Sequence, residues 1–321
     1  MTDLDVSNKK ILYALTQNAR IFDSKIAKRV NKSKESIRYR INKLEEQKII
    51  TQYVTWIDPL LLGYTSAKIY LRLKNNPQKN EQLIQTLCTD SRLFWLGIAQ
   101  GAWDVGLTYF IKTQREFFDI QNNLYNNFSD IILDTKTATL VQVQIGPKNI
   151  FAQKKDGYNT LFARTDAIEL DKPAKDVLRV LMKNARLPVT HIAQETGCSI
   201  DVVRNRMQTL EQQKIIAGYA AAIDHTKIGY DFYKTFVYVQ GLSKEEEQRF
   251  DEYCLQDKHI THVVKQNSAW NIELEVLAQT YQEYQETIHN LTKEFSETIT
   301  RVETAIMTRD YIWPAGAEFL S

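Results

Sequence analysis

Apolar residues recur at helical spacing over the first fifty positions and at strand spacing after them, and both regimes then return later in the chain. Ile11, Leu12 and Leu15 form one short amphipathic stripe, with Ser7 placed to cap its helix, which ends near Asn18-Ala19-Arg20. Ile26, Ala27 and Val30 form a second, with Asp23 or Ser24 as the cap. Behind Ser33, Ile37, Ile41 and Leu44 stand at i, i+4 and i+7, so a third helix has one face to bury. Its opposite side carries Ser36, Tyr39, Arg40 and Lys43, a cationic, hydrogen-bonding surface suited to a DNA major groove. The tight connection through Asn31 and Lys32 predicts a helix-turn-helix with the third helix as the reader. Residues 49–57 are β-branched and aromatic and read as a strand or wing, and Asp58-Pro59 and Gly63 mark a turn.

A different order follows. Residues 67–73 alternate as a strand, 77–87 are helical, 93–99 and 104–110 are strands joined at Gly101, and Thr113-x-x-Glu116 opens a helix to about 128. Residues 131–144 alternate as a last strand. The order βαββαβ is ferredoxin-like, an antiparallel sheet with both helices on one face.

The whole pattern occurs twice. Shifted by 166 positions, residues 5–64 align with 171–230 without a gap and with 23 identities in 60 positions. Asn18-Ala19-Arg20 matches Asn184-Ala185-Arg186, Gln47-Lys48-Ile49-Ile50 matches Gln213-Lys214-Ile215-Ile216, and Gly63-Tyr64 matches Gly229-Tyr230. The second βαββαβ unit is predicted from a strand at 233–240, a helix opened by Ser243-x-x-Glu246, strands at 260–264 and 272–276, a helix opened by Thr280-x-x-Glu283, and a strand at 299–309. The fold class is therefore α+β, two winged helix-turn-helix domains (1–58, 171–224) and two ferredoxin-like domains (63–146, 229–312) in a tandem repeat. Residues 147–170 are polar without a sustained period and read as a linker, in which Tyr158, Leu161 and Phe162 could pack on a domain.

Composition narrows the function. With 43% apolar and 25% charged residues in 321, no apolar run of membrane-span length and a polar start at Met1-Thr2-Asp3, a cytoplasmic protein without membrane contact is expected. Three widely spaced cysteines suit a reducing compartment, and Cys88 and Cys254, partners in the duplication, read as small hydrophobes on equivalent helices. Net charge is +2, but residues 1–55 hold 12 Lys+Arg against 6 Asp+Glu while residues 166–221 hold 8 against 7. Positive charge is thus concentrated in the first helix-turn-helix, which should grip phosphate harder. Lys34, Arg38, Arg40 and Lys43 have acidic partners nearby in sequence only in Glu35 and Glu45, the second being a rival partner for Arg40. Arg204, Asn205, Arg206 and Thr209, beside Asp201, form the weaker second face. There is no Gly-rich phosphate loop, paired-Cys zinc spacing or Gly-x-Ser-x-Gly elbow, so no cofactor is expected. Nor is a metal, because His259 and His262 would point to opposite faces of a strand.

Arg38, Arg40, Ile41, Leu44, Glu45, Ile49, Ile50, Tyr53, Asp58 and Gly63, with their partners in the second half, give a sequence that resembles the leucine-responsive regulator/AsnC (Lrp/AsnC) family of bacterial and archaeal transcription factors. The resemblance implies binding to double-stranded DNA by a non-enzyme, with RAM-type βαββαβ domains that pair and bind small effectors, often amino acids, near a Gly-x-x-Asp turn. Gly101, Trp103 and Asp104 fit that turn, whereas Ser268-Ala269-Trp270-Asn271 loses both glycine and carboxylate. Trp103 and Trp270 read equally as core aromatics behind a hairpin. Since both pairing domains lie on one chain, an intrachain pseudo-dimer is expected, with exposed sheet surface left for homo-oligomers. The enzymatic alternative is a siroheme decarboxylase, which resembles the same fold. Ile260-Thr261-His262 and Trp270-Asn271 are similar to part of that active-site region, but the expected Asn-Tyr-x-Arg is Val263-Val264-Lys265-Gln266.

Overall fold

The protein is described by a computed structural model over residues 4–151, 158–162 and 166–312. The first head consists of α1 (Val6–Gln17), α2 (Asp23–Val30), α3 (Lys34–Glu46) and β1 (Ile50–Ile57). Asp5, not Ser7, caps α1, its carboxylate accepting from the Asn8 N–H at 2.7 Å. Ser33 caps α3 by accepting from the Ser36 N–H at 3.1 Å. At α2 the cap position is Phe22, without a side-chain bond, and Asp23 lies inside the helix with its carboxylate committed to arginines. Asp58 caps a short 3-10 turn, Pro59–Leu62, which ends at Gly63 in the left-handed region.

The first ferredoxin-like unit follows as β2 (Thr65–Leu73), α4 (Pro77–Cys88), β3 (Leu93–Gly101), β4 (Val105–Ile111), α5 (Gln114–Phe128) and β5 (Ile132–Ile145), then a three-residue strand β6 (Asn159–Leu161). The second half repeats this as α6 (Lys172–Lys183), α7 (Val189–Thr196), α8 (Ile200–Gln212), β7 (Ile216–Ile223), β8 (Asp231–Val239), α9 (Lys244–Gln256), β9 (Ile260–Asn267), β10 (Ile272–Ala278), α10 (Tyr281–Glu294) and β11 (Ile299–Ile312). Of the three expected capping boxes, Ser243 with Glu246 closes reciprocally. Glu116 and Glu283 instead reach back one residue further, to the N–H groups of Lys112 and Gln279.

Alternation along the strands sets the layers. In β2, Ala67, Ile69 and Leu71 pack with Leu83 and Leu87 of α4 and Leu124 of α5, so Lys68 and Tyr70 point the other way. In β8, Tyr233 and Val237 pack with Phe250 and Leu291, which turns Lys234 and Phe236 inward in the same manner. Each half orders its strands as 4-1-3-2, that is β5-β2-β4-β3 and β11-β8-β10-β9. The long last strand of each then continues onto the other half, β11 pairing with β3 (Tyr311 opposite Leu96) and β5 with β9 (Val143 opposite Val264). Eight strands thereby close on themselves, and Tyr70, Trp95, Trp103, Phe236 and Trp270 cluster where the two inner faces meet. The pseudo-dimer forms within one chain.

Two expectations need correction. The segment read as a linker is partly part of the fold: β6 adds to β5, and Phe151, Leu161 and Phe162 are buried, although Tyr158 is exposed. A three-residue strand has no period that a sequence could display. Cys254 is buried as expected, but Cys88, the last residue of α4, is exposed.

The heads also pair. Strands β1 and β7 run antiparallel with Val54 opposite Ala220, and the helices of both heads share one apolar core. The duplicated Asn-Ala-Arg motif makes the junction. The Ala19 N–H donates to the Tyr219 carbonyl at 2.9 Å, and that of Ala185 to the Tyr53 carbonyl at 3.0 Å. Arg20 donates to the carbonyls of Ala185 (2.6 Å) and Leu187 (2.9 Å), and Arg186 reciprocates onto Ala19 and Ile21. Each guanidinium also lies 5.5 Å from the ring centroid of the other head's tyrosine, Arg20 on Tyr219 and Arg186 on Tyr53.

Candidate nucleic-acid interface

Ile37, Ile41 and Leu44 are almost fully buried, which fixes the roll of α3 and turns its polar face outward. Lys34, Arg38, Tyr39 and Lys43 are exposed and Ser36 is half-buried. The arginines, however, are not free of acids as the local sequence suggests. The Arg38 Nε donates to Asp23 at 2.6 Å while 63% of its side chain stays exposed. That contact uses one of five N–H donors and leaves the guanidinium edge available to phosphate. Arg40 is half-buried and reaches back to α1, to Asp5 at 2.7 Å and Asn8 at 2.9 Å. Glu45, its expected rival partner, instead accepts from the Tyr53 hydroxyl at 2.5 Å, a bond that ties α3 to β1.

The second head keeps the framework and changes the surface. Arg206 meets Asp171 at 2.5 Å as Arg40 meets Asp5, and Tyr219 donates to Glu211 at 2.7 Å as Tyr53 does to Glu45. Arg204, Asn205 and Thr209 are exposed, with Arg204 3.4 Å from Asp201. Where Asp23 would recur the second head has Val189, so Arg204 lacks the buried acid that steadies Arg38.

Gly101, Trp103 and Asp104 are brought together at the β3–β4 turn, against the ring, where Ala102 and Trp103 line a pocket of only about 10 Å³. Gly101 has φ +126°, and a Cβ there would stand 2.4 Å from the Thr304 carbonyl oxygen. Trp103 is 2% exposed inside the aromatic cluster. The Asp104 carboxylate accepts from the Leu73 N–H at 2.8 Å. Asn271 holds the equivalent Val239 N–H at 3.4 Å, so the Asp-to-Asn difference preserves a structural bond.

A cavity of about 220 Å³ between the paired wing strands and the strand ring was not foreseen. A buried charge chain runs along its wall. Glu273 accepts from Lys68 at 2.7 Å, from Lys234 at 2.6 Å and from the Tyr70 hydroxyl; Lys234 also reaches Glu275 at 2.8 Å, which lies 2.7 Å from His262 Nδ1. Burial opposes the Glu273 charge, but the two ammonium groups outweigh it and hold its pKa at about 2. Burial brings Lys68 down to about 8, whereas Lys234, facing two carboxylates, is held above its usual value. The sequence signal was present, because Lys68 and Lys234 interrupt equivalent apolar strands in both copies. His259 bonds the Leu277 carbonyl at 2.8 Å, and among the described residues no group of three or more His, Cys, Asp or Glu could hold a metal.

Residues 4–45 match the AsnC-type helix-turn-helix domain family, and residues 170–217 match a winged helix-turn-helix DNA-binding family. The chain is 26% identical over 162 residues to an uncharacterised HTH-type transcriptional regulator of Pyrococcus horikoshii, spanning 50% of this chain and 94% of that one. It is 37% identical over 82 residues to the HTH-type transcriptional regulator LrpA of the same organism, across 26% of this chain and 55% of LrpA. A relative matched over nearly its full length takes up half of this chain, as a duplication requires. Among solved structures, the siroheme decarboxylase NirDL superposes with a TM-score of 0.61 over 96% of this chain and 93% of its own. At 14% identity that likeness is one of fold. No helix among the described residues is long and apolar enough to cross a membrane.

Proposed function

We propose that this Lrp/AsnC-type chain is a sequence-specific DNA-binding transcriptional regulator whose two reading heads are fused in one polypeptide. The observation that carries the reading is the joining of the two heads, each with an outward cationic or polar recognition helix, into one body by β1, β7 and the reciprocal arginines. Lys34, Ser36, Arg38, Tyr39 and Lys43 contact DNA from the first head, and Arg204, Asn205 and Thr209 from the second. Arg40 and Arg206 sit beside these faces and brace the helices through Asp5 and Asp171. Phosphate contacts position the heads, and side chains at base edges supply sequence preference.

A small effector at Gly101, Trp103 and Asp104 would meet a carboxylate already engaged by the Leu73 amide. That bond takes the Asp104 Oδ2, which leaves Oδ1 as the oxygen a ligand's ammonium would approach. The enzymatic alternative has the NirDL superposition behind it, one of whose solved structures is a co-complex with an iron-uroporphyrin III analogue. The regulator reading has closer sequence relatives, and a cavity of about 220 Å³ is below the roughly 300–1,000 Å³ of sites for drug-sized ligands. Capture of genomic fragments by the purified chain, followed by sequencing, tests the proposal. A recurring motif is expected; unenriched sequence, together with a spectral shift on incubation with siroheme, would reverse the order of the two readings.

A further inference from the structure

We propose that the cavity between the paired wings and the strand ring binds a small monocarboxylate with an apolar body the size of one ring. The site lies apart from both the recognition helices and the Gly101 turn, and does not depend on the DNA-binding reading.

Size comes first. The cavity measures about 220 Å³, somewhat more than the roughly 150 Å³ void that accepts benzene, which leaves room for one ring and a short acidic arm. Its walls are apolar and aromatic, with Trp95 and Phe110 from the first half, Phe162 from the segment after β6 and Phe232 from β8.

Its polar lining is uneven in a way that selects charge. The carboxylates of the inner chain are satisfied: Glu273 by two lysines and Tyr70, Glu275 by Lys234 and His262. Asp310, at the rim, accepts from the Trp95 indole N–H at 2.5 Å. Two groups remain without a hydrogen bond: Lys148, whose ammonium feels Glu275 and Asp310 across the cavity but makes no hydrogen bond or ion pair with them among the described residues, and His225, whose Nε2 is buried and unbonded. An ammonium has donors and no acceptor, so the group that completes it must accept. Burial brings Lys148 down to about 8, which still leaves it largely cationic at neutral pH, and holds His225 neutral at about 3. A ligand carboxylate would complete Lys148 and take the Nε2–H of a neutral His225, while its ring would fill the aromatic walls. An ammonium ligand would leave both donors unmet and face Lys148 with like charge, and the carboxylates it could meet in the lining, Glu275 and Asp310, already accept from Lys234, His262 and Trp95.

The test is calorimetric titration of the full chain, without DNA, using 3-phenylpropionate, 3-phenylpropanamide and 3-phenylpropylamine. The carboxylate is expected to bind in the micromolar to millimolar range, with the amide at least tenfold weaker and the amine not detected. K148M should weaken the carboxylate at least tenfold with little change for the amide, and V143W, which fills the cavity from β5, should abolish both. Circular dichroism confirms that each variant remains folded. Absence of binding to wild-type protein at 10 mM carboxylate, equal affinity for the amide or amine, or full affinity in both folded variants would each overturn the proposal.

Discussion

Asp23 of the first head receives Arg186 of the second at 2.6 Å, on a carboxylate that is 3% exposed and also holds Arg38 at 2.6 Å. One buried acid thus connects the junction between the heads to the surface offered to DNA. Removing it strands two guanidinium groups, one of them largely buried. D23A should therefore destabilise the protein by roughly 3–5 kcal/mol, as breaking a buried pair does. D201A, which removes an exposed partner of Arg204, should leave the urea midpoint unchanged. Midpoints at constant m-value decide this, and equal midpoints for the two variants would show that the tie contributes nothing.

The recognition faces make a graded prediction. K34A, R38A and K43A should each weaken duplex binding and flatten the slope of log K against log salt by about one unit. N205A and T209A should weaken it less, and mainly for the preferred sequence. R40A should chiefly lower stability, by roughly 0.5–1 kcal/mol, because its partly exposed contact to Asp5 braces α1 against α3. A steeper loss of DNA affinity in R40A than in R38A would reverse these roles.

These assignments show where the sequence was legible. The stripes Ile37, Ile41, Leu44 and Val203, Met207, Leu210 announce their helices because a 3.6-residue period is local, and the gapless duplication carries the α+β architecture with it. Partners distant in sequence were not legible. Nothing near Arg38 or Arg40 points to Asp23 or Asp5, and the joining role of Asn-Ala-Arg appears only once the two copies face each other. The cavity is harder still, since its lining comes from both heads, both sheets and the intervening segment. The twin lysines Lys68 and Lys234, and the Thr261-His262 pair noted for its likeness to a siroheme decarboxylase, were its visible traces.

Acidity offers a separate check. Lys148 titrates at about 8 in the folded chain, below the usual 10.5, because burial disfavours its charge. Below pH 8 the ammonium is charged in folded and unfolded states alike, and its desolvation counts fully against the fold. Between about 8 and 10.5 the unfolded chain binds more protons, so this contribution to stability rises with pH. K148M should therefore be more stable than wild type at pH 7, with the advantage shrinking toward pH 10.5. An advantage independent of pH would contradict the assignment.

Gly101 tests the ring closure. G101A would place a Cβ 2.4 Å from the Thr304 carbonyl of β11, on a backbone at φ +126°. A loss of about 1–3 kcal/mol is expected from the backbone strain alone. G197A, at φ +69° with nothing within 4 Å of its Cβ, should cost less. Matching losses in thermal unfolding would remove the β3–β11 contact as the cause.

The central claim is that one chain presents two DNA-reading heads as a single body. The most direct measurement is the stoichiometry of the complex on a selected duplex, by sedimentation velocity together with a hydroxyl-radical footprint. The account predicts that one chain protects two half-sites, and that changing the Arg204, Asn205 and Thr209 face to alanine erases one half-site's protection while the other remains. Protection of both half-sites only when two chains are bound, or a footprint unaltered by loss of the second face, would contradict it.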